Sequence, residues 1–268
     1  MGPMRHPVFI VGSPRSGTSA LVDVLRHSGY KGFLEGNFLS LLHGVNQLVD
    51  QHYRWYPGDD KRVLLPNVDK EDLKRRLFES FRSIVDALNP QEPWFDKTGN
   101  PEMTLAIPIV RQLWPSAVFV LAKRRGIENV ISRMTKFPSH TFEYHCANWA
   151  KNMSSWRAVR EQIPPESFIE VEQRNMVRHP EEAARELCAF LGISENVVPT
   201  AAKVMDTHRP QETTKGSASR TSSLASSGWT KEQIEIFLKY CEPEMKAFGY
   251  TLDEQYSVVP MSQSVQSS

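Results

Sequence analysis

Residues 7–27 constrain the fold of this chain more than any other stretch. An apolar run, "PVFIV", passes through "GSPRSGTS" (12–19) into the helical pattern "LVDVLRH". A short buried strand thus enters a helix across a loop holding Gly12 and Gly17, five residues apart. Such a strand has its natural place in a parallel sheet, where helical crossovers carry the chain from strand to strand.

The rest of the chain repeats that alternation. Strand patterns recur at "WFDK" (94–97), "AVFVLA" (117–122) and "SFIEV". Helical periodicity links them. The segment 36–52 aligns Phe38, Leu41, Leu42, Val45, Leu48 and Val49 on one face. Asp69 is placed as the N-cap of a helix carrying Leu73, Leu77, Phe81, Ile84, Val85 and Leu88. Further helices are expected over 101–113, from Ile127 to Met134, over 141–162 with Trp149 and Trp156, and over 180–191. Thr230 and Gln233 form a capping-box pair ahead of Ile234, Phe237, Leu238, Cys241, Met245 and Phe248. Apolar strands alternating with amphipathic helices predict one α/β domain, a central parallel sheet covered by helices on both faces. The domain is expected over 7–254. The Ser/Gln-rich residues 255–268 read as a disordered tail.

A chain of 268 residues, 40% hydrophobic and 24% charged, builds its core without staples. A net charge of +1 gives no overall field for nucleic acid or a membrane surface. No window approaches the 18 to 20 apolar residues of a span, and "MGPMRHP" lacks the apolar region of a signal peptide. Cys146, Cys188 and Cys241 form no CxxC pair and sit as small core residues of a reducing compartment. A cytoplasmic location is the expectation.

The opening loop is built for an anion. A helix N-terminus offers unpaired N–H groups and about half a positive charge. Gly12 and Gly17 let the backbone turn tightly, Arg15 can fork onto a phosphate, and Ser16, Thr18 and Ser19 add hydroxyl donors. Its spacing follows a nucleotide-binding P-loop, but Thr18 stands where the lysine that reaches the β- and γ-phosphates belongs. Beyond Asp96 there is no strand-end aspartate suited to Mg²⁺. The loop therefore points to a phosphate held without the usual triphosphate–metal apparatus. A kinase with an altered loop and a non-catalytic nucleotide-binding protein are the competing readings.

"FIVGSPRSGTSALVDVL" resembles the 5′-phosphosulfate loop of sulfotransferases that use 3′-phosphoadenosine-5′-phosphosulfate (PAPS), with Pro14, Arg15, Ser16, Gly17, Thr18 and Ser19 at the motif positions. Arg15 stands where Golgi-type and many bacterial members have arginine and cytosolic members usually have lysine. The resemblance implies a P-loop-like fold and a second anion site, an arginine at a strand end with a serine eight residues on. "AVFVLAKRRGIENVISRM" supplies Arg124 and Ser132 at that spacing. The family's usual Arg-Asp turn reads Arg124-Arg125-Gly126 here. Weaker matches at "DKTGNPEM…FVL", "FIEVEQRN…FLGI" and "SSGWTKEQI…FGY" extend the resemblance over about residues 7–250.

The implied reaction is in-line transfer of a sulfuryl group from PAPS to a hydroxyl or amine of a small-molecule or carbohydrate acceptor. Adenosine 3′,5′-bisphosphate (PAP) leaves, and no metal is needed. By the same resemblance Arg15 holds the 5′-phosphate, Lys97 stabilises the leaving oxygen, and Glu35 is the general base. A surface lysine and a helix-dipole glutamate are the bland alternatives for Lys97 and Glu35. Asp96, His43, His140 and His145 are further candidate bases. The Ser-rich segment 213–228 reads as a lid, with Lys215, Gly216 and Arg220 contributing to the 3′-phosphate end.

Overall fold

The computed structural model describes residues 7–56, 62–89, 93–207 and 221–258. Five strands form one parallel sheet: β1 (Val8–Val11), β2 (Lys31–Phe33), β3 (Trp94–Lys97), β4 (Val118–Lys123) and β5 (Phe168–Glu172), in the order β2-β3-β1-β4-β5. β1 lies at the centre, with Ile10 opposite Lys97 of β3 and Val120 of β4. The chain builds one side of β1 first and then crosses to the other. In sheets of this kind ligands enter at such a reversal, at the carboxyl ends of the central strands.

The period of the strands sorts the core onto two faces. Val8 and Ile10 pack with Val120 and Ala122 against helix α1 (Thr18–His27) and helices α8 (Pro180–Phe190) and α9 (Val198–Thr207). Phe9 and Val11 point the other way, with Phe119 and Leu121, towards α2 (Leu41–Trp55), α3 (Lys70–Leu88) and α4 (Pro101–Leu113). Phe9 stacks on Phe119 at 5.6 Å and meets Trp94 edge-on at 5.4 Å. A third cluster joins α5 (Gly126–Lys136), α6 (Phe142–Arg160) and α10 (Lys231–Ala247). α6 serves both neighbouring clusters, with Trp156 in the second and Trp149 in the third, each fully buried.

Side chains close several helix starts: Asp69 accepts from the Asp72 amide, Asn100 from Met103, and Thr141 from Tyr144. Thr230 and Gln233 form the reciprocal capping box that the sequence predicts. Thr230→Ala is expected to lower stability by about 1 kcal/mol in urea unfolding, with the slope of the transition unchanged.

Other expectations need correction. The helix expected over 36–52 starts at Leu41, because residues before it are held by β3: the Gly36 amide donates to the Lys97 carbonyl and the Asn37 amide to Thr98 Oγ1. Its apolar face is only half covered. Leu42 is buried, whereas Leu41 and Leu48 are 54% exposed. On α3 the same holds for Ile84 and Leu88. At the C-terminal end, packing continues past 254. Tyr256 is 5% exposed, and Ser257 bridges Tyr250.

Candidate functional site

The loop after β1 is shaped by close approach. Gly12 has φ 130°, and a Cβ there would stand 2.2 Å from the Ala122 carbonyl oxygen of β4. Gly17 is the N-cap of α1 at φ 92°, so no side chain closes that helix, and its first turn carries no acidic residue. Its leading amides remain available to an external anion. Arg15 itself adopts φ 75°, a left-handed conformation rare for a residue with a Cβ. Ser16 and Thr18 are buried, while Pro14 and Ser19 are partly exposed.

The second motif meets the first directly. Arg15 Nε donates to Ser132 Oγ at 3.0 Å, and Arg124 NH1 donates to the Arg15 carbonyl at 3.1 Å. Arg124 leaves the end of β4 only 7% exposed, with Nε lacking any partner among the described residues. Burial lowers the pKa of both arginines, and the Arg124 charge adds to the effect on Arg15. Two guanidinium groups are thus held together at a cost that an anion would offset.

Arg125, the next residue, lies inside the protein. Fully buried, it forks onto Glu128 and donates to carbonyls of Ser222, Thr251 and Asp253. Its amide donates to Tyr256 Oη at 3.1 Å, and its guanidinium lies over that ring at 4.7 Å. The residue occupying the family's usual aspartate position therefore ties the C-terminal segment to the strand end. It also leaves Arg124 as the cation facing the loop.

Across β1, the end of β3 abuts the same loop. The Thr98 amide donates to the Ile10 carbonyl, and a Cβ on Gly99 would lie 3.7 Å from the Pro14 ring. Lys97, 7% exposed, is no surface lysine, and its Nζ pairs with Glu35 Oε1. The Glu35 side chain is 61% exposed, open to solvent beside a buried ammonium. It precedes α2 by several residues and does not serve the dipole of that helix.

Asp96 lies behind this pair. It is 6% exposed, accepts from Thr98 Oγ1 at 2.8 Å, and presses so near Gly36 that a Cβ there would stand 1.7 Å from its Oδ2. Burial first, and the Glu35 charge next, raise its pKa to about 6. Because the folded value lies above the unfolded one, its favourable contribution is complete below about pH 4 and lost as pH rises through 6. Asp96→Asn is therefore expected to stabilise the fold at pH 8 by up to about 3 kcal/mol, with a smaller gain at pH 5. Chemical unfolding at both pH values checks this; a pH-independent gain would place the carboxyl in an ordinary environment.

Of the candidate histidines, His145 is fully buried against Arg133, with its pKa lowered by burial and then by that arginine. His140 is exposed with its ring tilted against that of Tyr144 at 4.4 Å, and His43 lies on α2 near Glu102 and Lys151. Lys215, Gly216 and Arg220 lie outside the described residues. The chain re-enters next to the site, where the Ser222 amide donates to Glu128 Oε1. Sequence reasoning missed Asn129, whose Nδ2 donates to the Pro14 carbonyl at 3.1 Å and Ser16 Oγ at 3.0 Å. It also missed Arg133, whose NH1 donates to Ser13 Oγ at 3.2 Å.

These elements define an α/β protein that gathers positive charge where a central strand opens into an uncapped helix. The sulfotransferase family model matches residues 7–196, and the chain belongs to that family. Its fold is shared with a sulfotransferase, STF9, of Mycobacterium avium (15% identity, 94% of this chain and 79% of the other, TM-score 0.54). It is shared equally with the sulfotransferase domain of the Synechococcus PCC 7002 olefin synthase (17%, 90% and 97%, TM-score 0.52). The mouse sulfotransferase SULT7A1, solved in complex with PAP, matches at 14% identity over 92% of this chain and 86% of the other, TM-score 0.52. A search of curated proteins gives no match. Among the described residues no helix is long and apolar enough to cross a membrane.

Proposed function

We propose that the protein transfers a sulfuryl group from PAPS to a hydroxyl or amine of a small-molecule or carbohydrate acceptor, by in-line displacement that releases PAP. The contact of Arg15 with Ser132, braced by Arg124, carries this reading. It makes one cationic site from two motifs 109 residues apart. The loop amides and Arg15 hold the 5′-phosphate. Arg124 and Ser132 hold the 3′-phosphate, helped by Lys215, Gly216 and Arg220. Lys97 stabilises the leaving oxygen and Glu35 removes the acceptor proton. Sulfuryl transfer of this kind is a matter of positioning and charge stabilisation, which arginine, lysine and amide donors supply.

The test is a metal-free calorimetric titration with PAP, beside one with ATP–Mg²⁺. Micromolar PAP binding with much weaker ATP binding is expected. Tight ATP–Mg²⁺ binding without preference for the 3′-phosphate would return the chain to a kinase-like reading.

A further inference from the structure

Behind the anion loop lies a continuous buried polar chain supplied by α5 and α6. His145 Nδ1 accepts from Arg133 Nε at 3.5 Å, Arg133 NH1 donates to Ser13 Oγ, and Ser13 Oγ donates to Asn129 Oδ1 at 3.4 Å. Asn129 then reaches the Pro14 carbonyl and Ser16. Ser13, Ser16, Asn129 and His145 are wholly buried, and Arg133 is 3% exposed. α5 therefore holds residues 13–16 of the loop and carries Ser132 to Arg15 on the same turn as Arg133.

The charge balance singles out Arg133. The neighbouring buried arginine, Arg125, has Glu128 as its counter-charge. Among the described residues Arg133 has only the neutral groups of Ser13 and His145 as hydrogen-bond partners, and no carboxylate there pairs with it. Burial lowers its pKa, with no carboxylate among the influences opposing that. A buried guanidinium without a counter-ion burdens the empty fold and becomes favourable only when negative charge arrives nearby.

We propose that Arg133 is a positioning residue of the proposed sulfuryl transfer, acting through Ser13 to set the loop and to charge it positively from behind, with Asn129 fixing the loop backbone. The inference rests on the donor reading above for the identity of the anion, but not for the presence of one.

The test compares full-length Arg133→Met, Arg133→Lys and Ser13→Ala with the parent chain by calorimetry, using PAP and inorganic pyrophosphate as probes. Thermal unfolding without ligand is measured alongside. Arg133→Met is expected to weaken PAP binding at least 10-fold while leaving the ligand-free melting temperature unchanged or raised. Arg133→Lys should retain binding within about 3-fold, and Ser13→Ala, which keeps the charge, should lose less than Arg133→Met. A purely structural Arg133 would instead lower the ligand-free melting temperature in Arg133→Met. That outcome, or parental affinity in Arg133→Met, overturns the proposal. A parent chain that binds pyrophosphate but not PAP defeats the donor reading alone, and the same comparison on pyrophosphate then decides Arg133. Binding of neither probe overturns both.

Discussion

Arg124→Ala is expected to weaken PAP binding about 30-fold or more and to weaken a ligand that lacks the 3′-phosphate far less. A charge-assisted hydrogen bond in a buried site is worth about 2 kcal/mol or more, which corresponds to that factor. The side chain is 7% exposed and its Nε lacks a partner among the described residues, so a donor is already desolvated and waiting. Its NH1 has a second duty, bracing the Arg15 carbonyl. A modest loss for adenosine 5′-monophosphate is therefore expected as well. The discriminating quantity is the ratio: PAP should lose at least 10-fold more affinity than the monophosphate. Equal losses would reduce Arg124 to a brace of the loop and leave the 3′-phosphate without its assigned partner.

That prediction rests on residues the sequence already placed. The strand–loop–helix at 8–27 and the strand ending before Arg124 announce themselves through short apolar runs, glycines and hydroxyl residues. Capping chemistry at Asp69 and Thr230 was equally legible, because an N-cap acts on amides two or three residues away. What escaped has physical reasons. β2 is three exposed residues at the edge of the sheet, held by pairing with β3 and not by any pattern of its own. α7 (Gln173–Arg178) is six residues with no side-chain cap. α9, by contrast, carries a pattern of its own: Val198, Ala201, Val204 and Met205 recur with helical spacing and are all buried.

The site divides in the same way. A local motif brings out Arg15 and Ser16, and the family resemblance brings out Ser132, eight residues after Arg124. The support of those residues is long-range. Asn129 and Arg133 belong to no local motif, and only the packing of α5 beneath the loop turns them inward. Nothing within "KRR" itself marks Arg125 as buried. Burial was assigned to it by Glu128, Ser222 and the chain around Tyr256, which lie 3, 97 and 131 residues away. The half-exposed faces of α2 and α3 mark the opposite limit, since helical periodicity reports an apolar face without reporting whether anything covers it.

Glu35→Gln is expected to reduce turnover about 1,000-fold while PAP affinity stays within about 3-fold, the signature of a base acting on the acceptor and not on the donor. Lys97→Ala should reduce turnover by a comparable factor, since its ammonium is buried beside the loop while the Glu35 carboxylate faces solvent. The pair could instead be a brace between the 35–37 turn and β3. Magnitude separates the two possibilities. With the carboxylate 61% exposed, such an ion pair contributes about 1 kcal/mol or less to stability. A loss of that size cannot produce a 1,000-fold fall in turnover of the folded enzyme at saturating donor. If the two groups act in one chemical step, the double variant should be scarcely slower than either single one. Turnover that falls only in proportion to the folded fraction would make the pair a brace and return the search for the base to His43 and His140, the two candidate histidines that are not fully buried.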